Sequence, residues 1–306
     1  MIIIPGSINA DLLFPVQTLP APGETVLCPS YTMAPGGKGA NQAAAAAKAG
    51  AEVRFVGHVG DDAYGPVVRQ LLADAGVDVT GLIVSPKPTA IAVIGVDAKG
   101  ENQIIVASGA NLDTHAGQVP DELLGPGTTL LCQNEIRTEE SFRALLRGRA
   151  TGARTILNLA PAASLPAEVL DALDVLVVNE LEARAAARAG ADDRDVRALA
   201  AALVAGRDLA VVVTLGAKGA IALQDDQLLQ VGALPVDPVD TTGAGDAFTG
   251  VLAACLDRGL SLELALHRAA VGAALACERL GAQSAQPTLA EIEARAGQLP
   301  MPERHR

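Results

Sequence analysis

Residues 36–56 read GGKGANQAAAAAKAGAEVRFV, a glycine-rich turn followed by an alanine-rich segment and a short β-branched run. The spacing predicts a helix over Gly39–Ala49 and a strand over Val53–Val56. Another apolar strand is predicted before them, at Ile2–Ile4. Apolar strands that alternate with helices are typical of a parallel sheet covered by helices on both faces. The stretch therefore predicts an α/β fold.

The same alternation continues along the rest of the chain. Further strands are predicted at Thr129–Cys132, Thr155–Leu157, Val175–Val178 and Leu209–Thr214. Further helices are predicted at Tyr64–Ala75, Glu139–Arg149, Leu181–Ala189, Asp195–Ala205, Gly245–Leu256, Leu262–Arg279 and Leu289–Ala296. We expect right-handed crossovers between the parallel strands.

Two stretches, residues 11–35 and 79–106, interrupt the alternation. The first has strand-like pieces and prolines but no helical period. The second predicts successive strands at Val79–Val84, Ala90–Val96 and Gln103–Val106 without helices between them. The pattern fits a small separate sheet made of two insertions, and it fits an antiparallel extension of the main sheet equally well.

Length and charge restrict the classes of protein that the chain can belong to. With 306 residues it can form two domains or one large α/β domain, and half of the residues are hydrophobic. Acidic residues outnumber basic ones by 35 to 23, which gives a formal net charge of −12. A field of this sign repels polyanions, so nucleic acid is not an expected partner.

Cysteine placement and hydropathy indicate a cytoplasmic protein. The cysteines Cys28, Cys132, Cys255 and Cys277 form no CxxC pair and no zinc-type spacing, so they are interpreted as reduced thiols. The N-terminal sequence MIIIPGSINADLL has no basic region and does not resemble a signal peptide. No uninterrupted apolar run reaches the ~18 residues that a membrane span needs.

The strongest chemical motif is DTTGAGDAF at residues 240–248, in front of a predicted helix. Gly243 and Gly245 allow a tight turn that points several N–H groups in one direction, and the helix N-terminus adds partial positive charge. Together they predict an anion hole for a phosphate oxygen. Asp246 in the first turn has two interpretations. It can cap the helix, or it can accept the proton of an attacking hydroxyl.

Two further polar clusters border predicted elements. In the turn before the first helix, Lys38 and Asn41 can hold sugar hydroxyls or a phosphate, although the turn can also serve only as a helix entry. Residues 6–11, GSINAD, follow the first strand and lie where ligands of α/β sheets bind, although an Asx-type turn explains them too. Neither a P-loop nor a dinucleotide-binding fingerprint is present.

The chain resembles the ribokinase-type, or PfkB, carbohydrate kinase family. One family signature is GGxGxNxA at residues 36–43 with Gly50 and Gly60, and the other is DTTGAGD at residues 240–246. Other family-like segments follow in order from residue 6 to beyond residue 280: GSINAD 6–11, PGETV 22–26, GDD 60–62, LNLAPA 157–162, TLGAKG 214–219 and GAQ 281–283. The resemblance implies one kinase domain over residues 1–306. It implies a ribokinase-like three-layer α/β/α fold, a mostly parallel central sheet and a small β-sheet lid formed at about 11–35 and 79–106.

The resemblance assigns roles to individual positions. It implies that Asp246 is the catalytic base and that Gly243, Ala244 and Gly245 form the anion hole. The implied sugar ligands are Asn9, Ala10, Asp11, Gly37, Lys38, Gly39, Ala40, Asn41 and Glu135, together with Asp246. The implied ATP-binding residues are Asn179, Thr214, Leu215, Gly216, Ala217, Lys218, Gly219 and Gly245.

The resemblance also implies two metal ions. Glu182, in the NxxE element that starts at Asn179, would organise Mg²⁺ indirectly, and the other interpretation of this element is a helix cap. The residues that would hold K⁺, mostly through carbonyl groups, are Asp240, Thr242, Ala276, Arg279, Gly281 and Ala285. Two positions depart from the family: Ala285 replaces a serine and has Ser284 beside it, and Ala270 replaces a polar residue near the adenine.

The implied activity is ATP-dependent phosphorylation of the primary hydroxyl of D-ribose to give D-ribose 5-phosphate. Two alternatives remain open at this point. One is another kinase of the family, acting on deoxyribose, a fructose-type sugar or a nucleoside. The other is a non-catalytic sugar-binding protein on the same fold. The resemblance further implies Mg²⁺ with ATP, activation by K⁺ and a homodimer that forms through the lid.

Overall fold

The computed structural model describes residues 1–187 and 195–305. The described strands are β1 Ile2–Pro5, β2 Asn9–Pro15, β3 Thr32–Gly36, β4 Val53–Gly60, β5 Asp78–Ser85, β6 Ala90–Val96, β7 Asn102–Ala107, β8 Thr129–Cys132, β9 Arg154–Asn158, β10 Val175–Asn179, β11 Ala210–Thr214, β12 Ala220–Gln224, β13 Gln227–Val231 and β14 Glu303–His305. The described helices are α1 Lys38–Lys48, α2 Gly65–Asp74, α3 Thr138–Thr151, α4 Ala167–Leu170, α5 Glu180–Ala187, α6 Val196–Val204, α7 Ala244–Asp257, α8 Leu262–Cys277 and α9 Leu289–Ala296. The last two residues of the helix predicted at Leu181–Ala189 lie outside the described residues.

Most of these strands form one large sheet. In the described part of the chain its order is β14-β13-β12-β11-β10-β9-β8-β1-β4-β5. The strands from β11 to β5 pair in parallel, whereas β12, β13 and β14 are antiparallel. The sequence pattern did not predict β12, β13 and β14, which form an antiparallel edge beyond β11.

Helices cover both faces of this sheet because the strands are apolar on both sides. Ile2 and Ile4 pack into a core with α1, α7 and α8, whereas Ile3 faces a second core with α3 and α6. All three isoleucine side chains are fully buried. Burial of one such side chain contributes about 1.5–3 kcal/mol, so β1 is a strong anchor of the fold. The predicted three-layer α/β/α arrangement is confirmed.

A second, smaller sheet has the order β3-β2-β6-β7 among the described residues. Its strands β2 and β6 pair in parallel, and the outer pairs are antiparallel. The assignment of Val79–Val84 to this sheet was wrong, because β5 pairs in parallel with β4 at the edge of the large sheet. The physical reason is that α2 connects β4 to β5 as an ordinary crossover, so β5 completes a β-α-β unit.

The described residues contain no helix that is both long and apolar enough to cross a membrane. The four cysteines are free, and Cys132 and Cys255 are buried.

Candidate active site

The N-terminus of α7 is shaped by Gly243. This residue has a φ of 76°, in the left-handed region that favours glycine. A Cβ atom at this position would lie 2.9 Å from the Cα of Ala282. Both conditions exclude larger residues, so the glycine of the sequence motif is required for the turn.

The first turn of α7 presents free backbone donors. The N–H of Ala244 donates to the carbonyl of Thr241 at 3.2 Å, but those of Gly245 and Asp246 have no acceptor among the described residues. A Cβ built on Gly245 would meet no atom within 4 Å. Open space in front of free N–H groups at a helix N-terminus is suited to a phosphate oxygen.

Asp246 is buried and is held by two amides of α1. Asn41 Nδ2 donates to its Oδ2 atom, and Gln42 Nε2 donates to its Oδ1 atom, both at 2.9 Å. Its carboxylate therefore bonds to α1 and does not cap its own helix. Burial raises the pKa of Asp246, and the opposing effects of Lys38, Gln42 and Asn41 do not reverse that direction. A raised pKa makes a carboxylate a better proton acceptor.

A chain of buried amides supports this carboxylate, and sequence reasoning had assigned none of its members a role. Gln133 Nε2 donates to Gln42 Oε1 at 2.7 Å, and Gln42 Nε2 also donates to Asn158 Oδ1 at 2.8 Å. Gln133 directly follows β8, and Asn158 ends β9. The sequence did contain a signal for Gln133 and Asn158: both lie at the carboxyl ends of predicted parallel strands, where ligand sites of α/β sheets form.

Strand β2 places Asn9 and Asp11 on the same side, while Ala10 between them is fully buried. The Asp11 carboxylate lies against Gly36, where a Cβ atom would be 2.1 Å from its Oδ2 atom. Burial, with smaller effects from Glu135 and Asp246, raises the pKa of Asp11 to about 7. A carboxyl group in this position titrates near neutrality.

Glu135 joins the loop after β8 to the start of α1. Its Oε2 atom accepts hydrogen bonds from Ser7 Oγ and from the backbone N–H of Lys38, both at 2.8 Å. Ser7 Oγ in turn accepts from the N–H of Gly39 at 3.1 Å. The structure thus brings the GSINAD segment, the glycine-rich turn and Glu135 together.

Asn111 is a further residue of this region that the sequence analysis did not single out. It lies in the 3₁₀ turn Gly109–Asp113 and is 2% exposed. Its Nδ2 atom donates to Asn9 Oδ1 at 2.8 Å, and its Oδ1 atom accepts from the N–H of Ile8 at 3.1 Å. Asn111 therefore connects the segment after β7 to the start of β2. No local sequence pattern predicts this role, because both contacts join residues that are far apart in sequence.

Several buried oxygen atoms around these residues have no hydrogen-bond donor. Among the described residues, Asp11 Oδ1, Asn41 Oδ1 and Gln133 Oε1 are buried acceptors without a partner. Unsatisfied buried polar atoms are costly, so they are normally paired in the functional state. Water molecules or the hydroxyl groups of a ligand can supply the missing donors.

Lys38 lies at the first position of α1, among acidic side chains. Burial lowers its pKa, but the charges of Asp246, Glu135 and Glu182 outweigh burial, so the pKa is raised overall. The side chain therefore remains an ammonium group at neutral pH. Such a group can neutralise part of the charge of a phosphate or of the surrounding carboxylates.

Asn179 and Glu182 form a reciprocal cap at the start of α5. The N–H of Asn179 donates to Glu182 Oε2, and the N–H of Glu182 donates to Asn179 Oδ1, both at 2.8 Å. Glu182 is buried, which raises its pKa. The NxxE element therefore forms the helix cap in the structure. The Glu182 carboxylate also lies near enough to Lys38 to raise the pKa of Lys38.

A cavity of about 510 Å³ opens beside the N-terminus of α7. Its walls are mainly apolar and include Pro235, Val236, Phe248 and Ala270, and Gly245 lines it as well. Of the TLGAKG segment, the residues that line it are Thr214, Gly216, Ala217 and Gly219, whereas Lys218 is exposed. An apolar cavity that ends at a turn with free N–H groups is suited to the base and phosphates of a nucleotide.

Two of the residues expected to hold a monovalent cation, Thr242 and Gly281, contact Asp240. The N–H groups of Thr242 and Gly281 donate to its two carboxylate oxygens, both at 2.9 Å. Partial burial raises the pKa of Asp240, but these hydrogen bonds outweigh burial and lower it overall. The N–H of Arg279 donates to the carbonyl of Ala276 at 3.4 Å, so these two residues belong to the same turn.

No side-chain oxygen takes the place of the serine oxygen that the resemblance implies at position 285. Ala285 is fully buried and has no side-chain oxygen, while Ser284 Oγ donates to the carbonyl of Leu280 at 2.9 Å. The carboxylate of Asp240 remains, with its two oxygens accepting backbone N–H groups. Carboxylate and carbonyl oxygens are donor types that suit K⁺, because such oxygens can replace its hydration shell.

The chain is similar to known sugar kinases over nearly its full length. The chain is 34% identical over 290 residues to a ribokinase of Haemophilus influenzae, which covers 94% of this chain and 95% of that protein. It is 33% identical over 296 residues to a deoxyribokinase of Salmonella typhimurium, with 95% and 97% covered. The structure of an Arabidopsis thaliana ribokinase complexed with ribose and ATP superposes with a TM-score of 0.85 at 30% identity, covering 96% of this chain and 97% of that one.

The family profile of the pfkB carbohydrate kinases matches residues 1–289. The match includes both glycine motifs, the buried Asp246 and the apolar cavity described above. The chain therefore belongs to the pfkB family of carbohydrate kinases and is an ATP-dependent sugar kinase.

Proposed function

We propose that the chain transfers the γ-phosphate of ATP to the primary hydroxyl of D-ribose and forms D-ribose 5-phosphate. The observation that carries this proposal is the set of buried, donor-free acceptors at Asp11, Asn41 and Gln133. Sugar hydroxyls are donors that can satisfy such a set. The relatives named ribokinase, which match nearly the full chain, support a pentose.

The proposed mechanism uses Asp246 as the general base. Its carboxylate takes the proton of the sugar hydroxyl while that oxygen forms a bond to the γ-phosphorus. The bond from the γ-phosphorus to the bridging oxygen breaks, and ADP leaves with the electron pair. The free N–H groups of Gly245 and Asp246 stabilise the charge on the transferring group.

The rest of the site orients the two substrates. Asn9, Asp11 and Glu135 bind sugar hydroxyls, and the apolar cavity beside Gly245 holds the nucleotide base. Mg²⁺ bound to the ATP phosphates supplies further charge neutralisation. Glu182 would act on this ion indirectly, as the resemblance implies.

A comparison of sugars tests which of them is the preferred substrate. We expect kcat/KM for D-ribose to exceed that for 2-deoxyribose, fructose and nucleosides, measured as ADP release. The alternative, 2-deoxyribose, is favoured by the similarity to deoxyribokinases. A site built to bind a hydroxyl can reject the analogue without it by about 10⁴-fold. Faster turnover of 2-deoxyribose than of ribose would contradict the proposal and leave the kinase activity intact.

Sugar affinity should depend on pH through Asp11. Because the pKa of Asp11 is raised to about 7, the group is a neutral acid below that pH and a carboxylate above it. The carboxylate is the stronger acceptor for sugar hydroxyls, so the Kd for sugar should fall as pH rises through 7. Below pH 7 the Kd should increase by up to about tenfold per pH unit. Calorimetry without ATP measures this directly.

The Asp11→Asn variant is the matched control for this pH effect. It binds sugar more weakly, and its Kd should not change across the same pH range, because the amide does not titrate. If the wild-type Kd is flat between pH 6 and 8, Asp11 does not bind the sugar as a titrating carboxylate.

A homodimer through the small sheet is the expected assembly. The edge strand β7 exposes Ile104, Ile105 and Val106, and Ile105 is 73% exposed. Apolar edge strands of this kind tend to be covered by a partner, and a second copy offers the same surface. Light scattering should therefore give a dimer for the wild type and a monomer for Ile105→Glu. A monomeric wild type at micromolar concentration contradicts this prediction.

Turnover should increase several-fold on addition of K⁺. A cation held by Asp240 and the nearby carbonyl groups would fix the turn that precedes Gly243, so its N–H groups are oriented before phosphate binds. The measurement is a K⁺ titration at constant ionic strength in buffer free of Na⁺ and K⁺. A flat response, together with unchanged activity of Asp240→Ala, removes the cation from the mechanism.

A further inference from the structure

Lys48 ends helix α1 and contacts a distant loop near the C-terminus. Its Nζ atom donates to the carbonyl of Gln283 at 3.1 Å and to the carbonyl of Gln286 at 3.3 Å. At about 1.5 Å per residue, it lies roughly 15 Å along the helix from Lys38. None of the roles assigned above to α1 involves this end of the helix.

The loop that Lys48 contacts, residues 281–286, packs directly on the N-cap of α7. Gly281 donates its N–H to Asp240, and Ala282 lies against Gly243 so closely that a Cβ there would be 2.9 Å from the Ala282 Cα. Gln286 Nε2 donates to the carbonyls of Ala282 at 2.8 Å and Gly243 at 3.4 Å. Displacement of the loop would therefore displace the anion-binding turn.

The side chains of the loop hold it only in part: Gln286 Nε2 and Ser284 Oγ donate hydrogen bonds, but other polar side-chain atoms do not contribute. Among the described residues, both amide atoms of Gln283 and the Oε1 atom of Gln286 are buried without a partner. Lys48 is partly buried, and within the described residues it forms no ion pair. The neighbouring Glu291 is paired with Arg279, so the carbonyls of the loop are the acceptors that the Lys48 ammonium uses.

We propose that Lys48 is a positioning residue for phosphoryl transfer. Its ammonium group fixes the loop 281–286 and, through this loop, the Gly243 turn that binds phosphate. Helix α1 then serves both substrates, because Asn41 and Gln42 near its start hold Asp246. The close packing of α1 on α7 makes this link rigid, since a Cβ at Gly250 would lie 2.5 Å from that of Ala45.

Two substitutions of the same residue test this role. Lys48→Met removes the charge and keeps most of the apolar stem, whereas Lys48→Arg keeps the charge and the donors. We expect kcat of Lys48→Met to fall about tenfold and its KM for ATP to rise, because a displaced turn would hold the phosphates less well. Sugar Kd without ATP should stay within about twofold, because the sugar side of α1 is untouched. Lys48→Arg should recover most of kcat.

A matched control and a rescue experiment separate positioning from general stability. Lys99→Met makes the same change at an exposed turn of the small sheet and should leave kcat and KM unchanged. In Lys48→Ala, n-propylammonium should restore part of kcat by occupying the vacated place. Unchanged kcat in Lys48→Met overturns the proposal. The proposal is also overturned if the loss of activity equals the fraction of unfolded protein in a melting curve, and neither Lys48→Arg nor n-propylammonium restores kcat.

Discussion

Replacing Asp246 with Asn is expected to lower kcat by ~10²–10⁴-fold, which is the usual contribution of a general base. The amide has nearly the same shape but cannot take a proton from the sugar hydroxyl. Folding should be retained with a stability loss of about 1–3 kcal/mol, because the new amide oxygen can accept from only one of Asn41 Nδ2 and Gln42 Nε2, and the other donor loses its acceptor. Sugar Kd should change only modestly. Single-turnover kinetics with saturating ATP and sugar measure the chemical step.

The control for this variant lies on the same helix. Asp257→Asn makes the identical chemical change at the last residue of α7, where the carboxylate pairs with the N-terminal amine at 3.1 Å. It should retain wild-type kcat. If Asp246→Asn turns over within a few-fold of the wild type, the carboxylate serves only to order α1 and α7, and the proposed mechanism is wrong.

Replacing Gly245 with Val is expected to have the second largest effect, a fall in kcat of about 10²–10³-fold, as when an oxyanion-hole donor is lost. The added side chain would extend into the open space in front of the α7 N-terminus, where the phosphate must approach. Stability should change by no more than ~0.5 kcal/mol, because the new Cβ contacts nothing in the protein. Binding of sugar alone should be retained.

Two other glycines make this experiment specific. Gly297→Val also adds a side chain in open space but lies beyond α9, away from the site, so its kcat should be unchanged. Gly243→Ala should behave differently from Gly245→Val, because its φ of 76° and its contact with Ala282 make it destabilising. Equal melting temperatures with lost turnover in Gly245→Val alone identify the phosphate position. Normal turnover of Gly245→Val would show that phosphate does not bind there.

Patterns local in sequence predicted much of the fold. Apolar runs such as Ile2–Ile4 can be buried only between two helical layers, so the α/β class followed from residue type alone. The placement of Val79–Val84 failed because strand partners are not local information. A strand after a helix and a strand in a hairpin look alike in sequence, and only the register with β4 distinguishes them.

The sequence by itself predicted the glycine turn at the N-terminus of α7, because a left-handed Gly243 and a helix N-terminus are properties of adjacent residues. Tertiary structure alone decided what surrounds Asp246. The hydrogen bond from Asn41 spans 205 positions in sequence, and the pKa of Asp11 is set mainly by burial, with smaller contributions from Glu135 and Asp246. Hydrogen bonds and desolvation depend on how close groups are in space, and not on how close they are in sequence. The chemistry of the site therefore depends on long-range packing that no local pattern encodes.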